Sequence, residues 1–335
     1  MDGARGPGPR AVSVELPAAL RGALALELEG VSRKDLAVRA QRTSEAYRAG
    51  GTSASVIRTA EDALAYALAR LPATYAACAT VFAEARRMTS GFAPKRLLDA
   101  GAGTGAASWA AIEAWGGLQG VTWLDASATF LRLAGRLGKA GPKALQAPDL
   151  LTADLASTQP WPVADLVVAS YALAEIPAAS QARVVRGLWD ACAGVMALVE
   201  PGTPAGYQRI LAAREVLVAA GADLLAPCPH ASACPLTAPD WCHFSVRLPR
   251  SRDHLLMKAA EVPFEDEKFA YLLAARPGIA ATARSARVLA PPRAGKGATA
   301  FKLCGPQGLE ARTVARRDKA AFAAARRLGW GDILP

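Results

Sequence analysis

Leu97-Leu98-Asp99-Ala100-Gly101-Ala102-Gly103-Thr104-Gly105 sets an acid at the end of an apolar run, followed by three glycines at alternate positions. Glycine lets a backbone turn sharply and lets a ligand approach main-chain N–H groups at the start of the next helix. The spacing is Asp-x-Gly-x-Gly-x-Gly, not the Gly-x-Gly-x-x-Gly of a dinucleotide loop. Two more acids close apolar runs downstream, Asp125 in Trp123-Leu124-Asp125 and Asp154 in Thr152-Ala153-Asp154. A second constellation is made of thiols: Cys228-Pro229-His230, Cys234-Pro235, Trp241-Cys242-His243 and Cys304-Gly305-Pro306. Without a secretory signal these cysteines stay reduced, and four thiolates together imply an all-cysteine zinc site or an iron–sulfur cluster. The first three fall within fifteen residues, separated by five and then seven, with no two-residue zinc knuckle. That loose spacing suits a [4Fe–4S] cubane, whose iron corners lie farther apart than four ligands on one ion; zinc stays the alternative. His230, His243 and His254 read as neighbours of the thiols, and Cys78 and Cys192 as core residues in apolar helical contexts.

The elements that must position these groups follow from periodicity. From about Leu16 to Met88 the chain reads as helices, with Leu16, Leu20, Leu24 and Leu28 four apart and an apolar run from Ala63 to Phe82 broken at Pro72. Ser32 to Arg48 holds five basic residues against two acids, a solvated helix face. From Arg96, short apolar runs alternate with helical segments, the pattern of a parallel sheet covered on both faces. Strands are expected at Arg96–Asp99, Val121–Asp125, Leu150–Asp154, Asp165–Ser170 and Val195–Glu200, with helices such as Ala106–Trp115 and Ser180–Ala191 between them. After Pro201 the alternation is expected to stop. Ala226 to Pro249 is too dense in Pro, Cys and His to build a regular element unaided. Two short strands, Ala286–Leu289 and Ala298–Leu303, are expected around the basic turn Pro291 to Gly297, then an Arg-rich helix from Ala311 to Leu328. This gives three regions: helices over 1–90, a doubly wound α/β domain over 91–222, and a cysteine-rich basic region over 223–335.

Charge is distributed unevenly. Of a net +10, the segment from Arg276 to Pro335 carries +9, with twelve Lys or Arg against three acids. A basic surface concentrated in one segment suits a polyanion, because each neutralised phosphate releases counterions. Apolar runs are interrupted by charge, as by Glu27 and Glu29, so no membrane span is expected. Met1 to Arg10 lacks the apolar core of a signal sequence, which makes the cytoplasm the default compartment; the residues leave the oligomeric state open, with a monomer as the default.

The glycine loop resembles the first motif of class I S-adenosylmethionine-dependent methyltransferases. That resemblance implies a Rossmann-like α/β fold with N-terminal helices, and a cofactor held by Asp99, Gly101, Gly103, Gly105, Asp125 and Asp154. In such proteins the second-strand acid holds the ribose hydroxyls and the third-strand acid reaches the adenine. The fourth strand departs from the pattern. Nucleic-acid amino-methyltransferases carry Asn or Asp, Pro, Pro and an aromatic residue there; this chain has Ser170-Tyr171-Ala172-Leu173-Ala174-Glu175, with no recognisable catalytic group, and Tyr171 and Glu175 read first as structural residues and second as substrate-side candidates.

Val199-Glu200-Pro201-Gly202-Thr203-Pro204, the Cys-Pro pairs and Trp241-Cys242-His243-Phe244 together resemble the Rsm-type small-subunit proteins, called methyltransferase-like protein seventeen in animals, with bacterial relatives. The resemblance implies a factor that binds small-subunit rRNA in ribosome assembly or translation, mitochondrial in eukaryotes. It also implies a [4Fe–4S] cluster on Cys228, Cys234, Cys242 and Cys304, in a metal-bound region that presents a basic hairpin and helix. RNA contacts are then expected from Arg287, Arg293, Lys296, Lys302, Arg316, Arg317, Arg326 and Arg327. An active rRNA methyltransferase with a structural metal site is the alternative.

Overall fold

The computed structural model describes residues 14–157, 160–279 and 285–334; the Met1 to Arg10 stretch and Arg284 of the basic tail lie outside them. Four helices lead the chain: α1 (Ala18–Glu27), α2 (Arg33–Arg48), the single turn α3 (Ser53–Val56) and the long α4 (Ala60–Met88). A capping box starts α4: the Thr59 hydroxyl accepts the Asp62 N–H at 3.2 Å, and the Asp62 carboxylate accepts the Thr59 N–H at 3.0 Å. Arg39 of α2 pairs with the buried Asp62 at 2.7 Å, pinning α2 across this helix start. The break expected at Pro72 does not occur; α4 runs through it. An interior proline costs about 3 kcal/mol, and here apolar burial on most faces of α4 offsets it.

The main sheet follows in βα alternation: β1 (Arg96–Ala100), α5 (Ala106–Ala114), β2 (Gly120–Asp125), α6 (Ala128–Gly138), α7 (Lys143–Gln146), β3 (Asp149–Thr152) and β4 (Ala164–Ser170). A 3₁₀ turn at Leu173–Glu175 leads to α8 (Ala178–Asp190), β5 (Cys192–Pro201), α9 (Pro204–Ala219) and β6 (Asp223–Ala226), so the alternation continues one unit past Pro201. Then come β7 (Phe244–Pro249), α10 (Arg252–Met257) and β8 (Phe264–Ala275). Strand order is β3-β2-β1-β4-β5-β8-β6. The first five strands are parallel, and β8 runs antiparallel between β5 and β6 while its first half also pairs with β7. This is the class I S-adenosylmethionine-dependent methyltransferase fold expected from the loop. Two expectations are corrected. The Cys- and Pro-rich segment ends in a true strand, β7, because β8 supplies its hydrogen-bond partner; and a boundary at residue 222 would cut through the sheet, which extends to Ala275.

A second, antiparallel sheet forms the C-terminal region: β9 (Ala286–Val288), β10 (Arg293–Ala294), β11 (Ala298–Gly305), β12 (Gly308–Ala315) and β13 (Ile333–Leu334), with α11 (Lys319–Ala325) on its core of Val288, Phe301, Leu303 and Ala325. The expected Arg-rich helix is shorter than Ala311 to Leu328. Residues Ala311 to Ala315 continue the β11–β12 hairpin, and the Asp318 side chain, accepting the Ala321 N–H at 3.2 Å, starts the helix only there. Among the described residues no helix is long and apolar enough to cross a membrane.

Candidate functional site

The turn from β1 into α5 holds Gly101, Gly103 and Gly105 at φ +74°, +54° and +81°, a region that side-chain-bearing residues rarely enter. A Cβ on Gly101 would stand 2.6 Å from the Cβ of Ala172, so packing as well as dihedral demands glycine there. The N–H groups of Gly101 and Ala102 both donate to the Leu124 carbonyl, at 2.8 and 3.0 Å, tying the loop to the end of β2. Loop residues Gly101 to Thr104 form one wall of a cavity whose other walls include Asp125, Asp154 and Tyr66 of α4. Asp125 accepts the N–H of Gly103 at 2.8 Å and of Ser127 at 2.7 Å, and burial raises its pKa. Asp154 lies just past β3, exposed, with its carboxylate accepting the Ala156 N–H at 2.8 Å.

Asp99 and Gly105, expected to touch the cofactor, lie behind the loop and do not line the cavity. Asp99 is fully buried; its Oδ2 accepts the Ser108 hydroxyl at 2.6 Å and N–H at 3.1 Å, while Oδ1 has no partner among the described residues. Burial pushes its pKa up to about 7. Gly105 backs onto Trp123, whose indole donates to the Ser108 hydroxyl at 2.8 Å. Both residues shape the loop from beneath.

At the end of β4, Tyr171 holds φ +57°. Its hydroxyl donates to Glu267 of β8 at 2.8 Å, and Arg70 of α4 sits 5.7 Å above its ring and 3.2 Å from the same carboxylate. Glu175 accepts the Ser53 N–H at 2.9 Å and hydroxyl at 2.5 Å, with the Tyr47 hydroxyl at 3.2 Å, drawing α2 and α3 over the cavity. Sequence reasoning missed Arg70 and Tyr66, since nothing in the spacing of α4 marks which of its faces meets the loop.

The four C-terminal cysteines converge on the core beneath α9. Cys228 and Cys234 follow β6, Cys242 precedes β7, and Cys304 comes from β11 of the second sheet. The Tyr207 hydroxyl lies 3.2 Å from Cys234 Sγ, and His230 Nε2 lies 3.7 Å from Cys304 Sγ. Burial, then the charges of neighbouring thiols, raises the pKa of Cys242 well above the ordinary value and that of Cys304 to about 12. Burial likewise raises Cys228, against the pull of Arg214. Among the described residues, no group of three or more His, Cys, Asp or Glu is arranged to hold a single metal ion. Two buried guanidiniums flank the thiols. Arg214 donates to the carbonyls of His230 and Ser232, at 2.8 and 2.6 Å. Its signal in the sequence is a lone Arg on the apolar stripe Tyr207, Ile210, Ala213, Leu217 of α9.

Arg287 is the other guanidinium, and its expected RNA contact is corrected: β9 turns it inward, where it is buried, pairs with Glu84 of α4 and donates to the Gly331 carbonyl at 2.8 Å. Arg293, Lys296, Lys302, Arg316, Arg317, Arg326 and Arg327 are exposed on the second sheet and its flanks, with Lys302 paired to Asp240.

Residues 60–335 match the family described as mitochondrial small ribosomal subunit Rsm22. The chain is 31% identical over 289 residues to the human protein named mitochondrial ribosome assembly protein METTL17, covering 81% of this chain and 62% of that protein. It therefore spans under two thirds of that relative's length. Among solved structures, magnesium protoporphyrin IX methyltransferase from Synechocystis PCC 6803 with bound S-adenosylmethionine is 16% identical, with a TM-score of 0.40, covering 65% of this chain and 83% of that one. Precorrin-6y C5,15-methyltransferase from Geobacter metallireducens GS-15 is 15% identical, with a TM-score of 0.39 and coverage of 59% and 85%.

Proposed function

Because the chain belongs to the family of mitochondrial small ribosomal subunit Rsm22 proteins, we propose that it is an rRNA-binding factor of the small ribosomal subunit, acting as a monomer in assembly or translation. It works where the ribosome is, in the mitochondrial matrix or in a bacterial cytoplasm. The family match over residues 60–335 carries this reading. The exposed cations Arg293, Lys296, Lys302, Arg316, Arg317, Arg326 and Arg327 of the C-terminal region support it, since exposed cations can neutralise phosphates.

S-adenosylmethionine is the ligand of the cavity, held by the loop of Gly101 and Gly103 and by Asp125, with Asp154 at the far rim and Asp99 and Gly105 supporting from behind. A [4Fe–4S] cluster is held by Cys228, Cys234, Cys242 and Cys304. The donor set supports that reading: four cysteines from both sheets gather on one core cluster, with the Arg214 and Arg287 guanidiniums beside them to offset thiolate charge. When bound, such a group supplies a covalent tie between the main sheet and the second sheet. The residues themselves do the rest. Tyr207 orients Cys234, Arg214 holds the 230–232 loop, and Arg287 anchors β9 to α4. Helices to about residue 90 then cover the cavity, the main sheet through Ala275 builds it, and the second sheet carries the RNA surface.

The test is anaerobic purification with iron, sulfide and zinc analysis, followed by co-sedimentation with small subunits. About four irons and four sulfides per chain are expected, with Cys234→Ser losing them and weakening sedimentation; one zinc, or full association of cluster-free protein, would refute the cluster's part. An active rRNA methyltransferase is the second reading, favoured by the intact loop and Asp125. It requires Asp125→Ala to erase one rRNA methyl group; unchanged rRNA modification would remove it.

A further inference from the structure

Three carboxylates line the cavity, Asp125, Asp154 and Glu175, and among the described residues its lining contains no Lys, Arg or His. Neutral donors orient the two inner acids without cancelling their charge: Asp125 takes backbone N–H groups, and Glu175 takes the Ser53 N–H and the Ser53 and Tyr47 hydroxyls. Arg70, the guanidinium over the Tyr171 ring, is committed to Glu267 at 3.2 Å. Asp125 and Glu175 repel one another, which contributes to raising the Asp125 pKa after burial itself. Tyr66 and Phe130, with ring centroids 4.9 Å apart, also face the cavity, and aromatic faces attract cations. An acidic, aromatic cleft without a basic group costs free energy until a positive charge enters it.

We propose that the cavity selects a cationic ligand, with Glu175 as the selecting residue: it favours the sulfonium of S-adenosylmethionine over the neutral thioether of S-adenosylhomocysteine. The inference rests on the reading that this cavity holds S-adenosylmethionine. The two ligands share the amino-acid end, ribose and adenine that the loop and Asp125 recognise, and differ by one methyl group and one positive charge. Glu175 is the inner carboxylate that recognition of the shared parts leaves unused. It also holds α3 over the cavity, so the same carboxylate that meets the charge keeps the cover shut. A site of this kind responds to the methylated cofactor and releases the demethylated one, which is the behaviour of a reader of methyl-donor supply.

The test is calorimetric titration of the full chain with S-adenosylmethionine, S-adenosylhomocysteine and sinefungin, whose amine restores a positive charge in place of the sulfonium. S-adenosylmethionine and sinefungin are expected to bind about tenfold tighter than S-adenosylhomocysteine, a ratio worth about 1.4 kcal/mol. Glu175→Gln should bring all three within about threefold by weakening the cationic pair, and its retained S-adenosylhomocysteine affinity reports an intact cavity. Equal or tighter binding of S-adenosylhomocysteine by the unaltered chain overturns the selection and leaves the cofactor reading standing, as does a preference that survives Glu175→Gln. Failure of all three ligands to bind overturns both.

Discussion

The Asp99 carboxyl sits under the cofactor loop, one oxygen bonded to Ser108 and the other to nothing among the described residues. Burial lifts its pKa from 3.8 to about 7, so the folded chain holds this proton more tightly than the unfolded one. Stability is then fully present below the ordinary aspartate pKa and is lost as pH rises towards 7, by up to about 4 kcal/mol. Urea midpoints of the wild type should fall between pH 5 and pH 8, and Asp99→Asn should remove most of that slope; equal slopes would place the proton elsewhere. Gly101 makes a different demand. Gly101→Ala puts a Cβ 2.6 Å from Ala172 at φ +74°, and should cost about 1–3 kcal/mol and at least tenfold in cofactor affinity, read by thermal melting and calorimetry. The acid-and-glycine spacing was legible in the sequence, and so were the strand ends that carry Asp99 and Asp125. Which acid faces the cavity was not, because spacing fixes a residue's place on a strand and leaves its side-chain environment to the packing of Ser108 and Trp123.

Among the elements, β8 joins what the sequence separates. Its first half pairs with β7 and its second half lies between β5 and β6. At Glu265 it also gathers His254 of α10, Lys258 just past that helix, and Arg250, at 3.2 Å from His254 and 3.4 Å from Arg250. Burial opposes the charge on Glu265, but the neighbouring His254 and the hydrogen bond from the Lys258 ammonium prevail and hold its pKa at about 2. This stabilisation is present above the ordinary glutamate pKa and is lost as pH falls towards 2. Glu265→Gln should therefore cost about 2–3 kcal/mol at pH 7 and clearly less at pH 3, by urea unfolding; a constant difference would exclude the ion pairs as its source. The parallel strands β1, β2, β4 and β5 could be read from their apolar runs. β8 could not, because Phe264–Ala275 opens with the charged run Glu265 to Lys268 and ends as a continuous buried run, so no single period describes it. Without β8 as partner, neither β6 nor β7 announces itself.

For the molecule as a whole, the exposed cations of the second sheet are held by an internal strut, Arg287, which reaches from β9 to Glu84 on α4. RNA affinity should fall steeply with salt. Arg316→Ala combined with Arg317→Ala should shrink the slope of log K against log salt by about 1.5, measured by filter binding on single-stranded small-subunit rRNA fragments. An unchanged slope would move the RNA surface elsewhere. Sequence charge marked the cations of this sheet but could not separate Arg287 from the exposed ones, since β9 is buried at every position and only its pairing with β11 places it there. The placement of β8 also governs the order in which the protein can be completed during its own synthesis. β6 leaves the ribosome before β8, yet among the described residues it pairs only with β8, and β5 presents an open edge until then. A nascent chain halted before Phe264 carries that edge exposed, a template for pairing with other chains. Chains of that length should bind chaperones and resist refolding, and both traits should vanish once the strand through Ala275 is added.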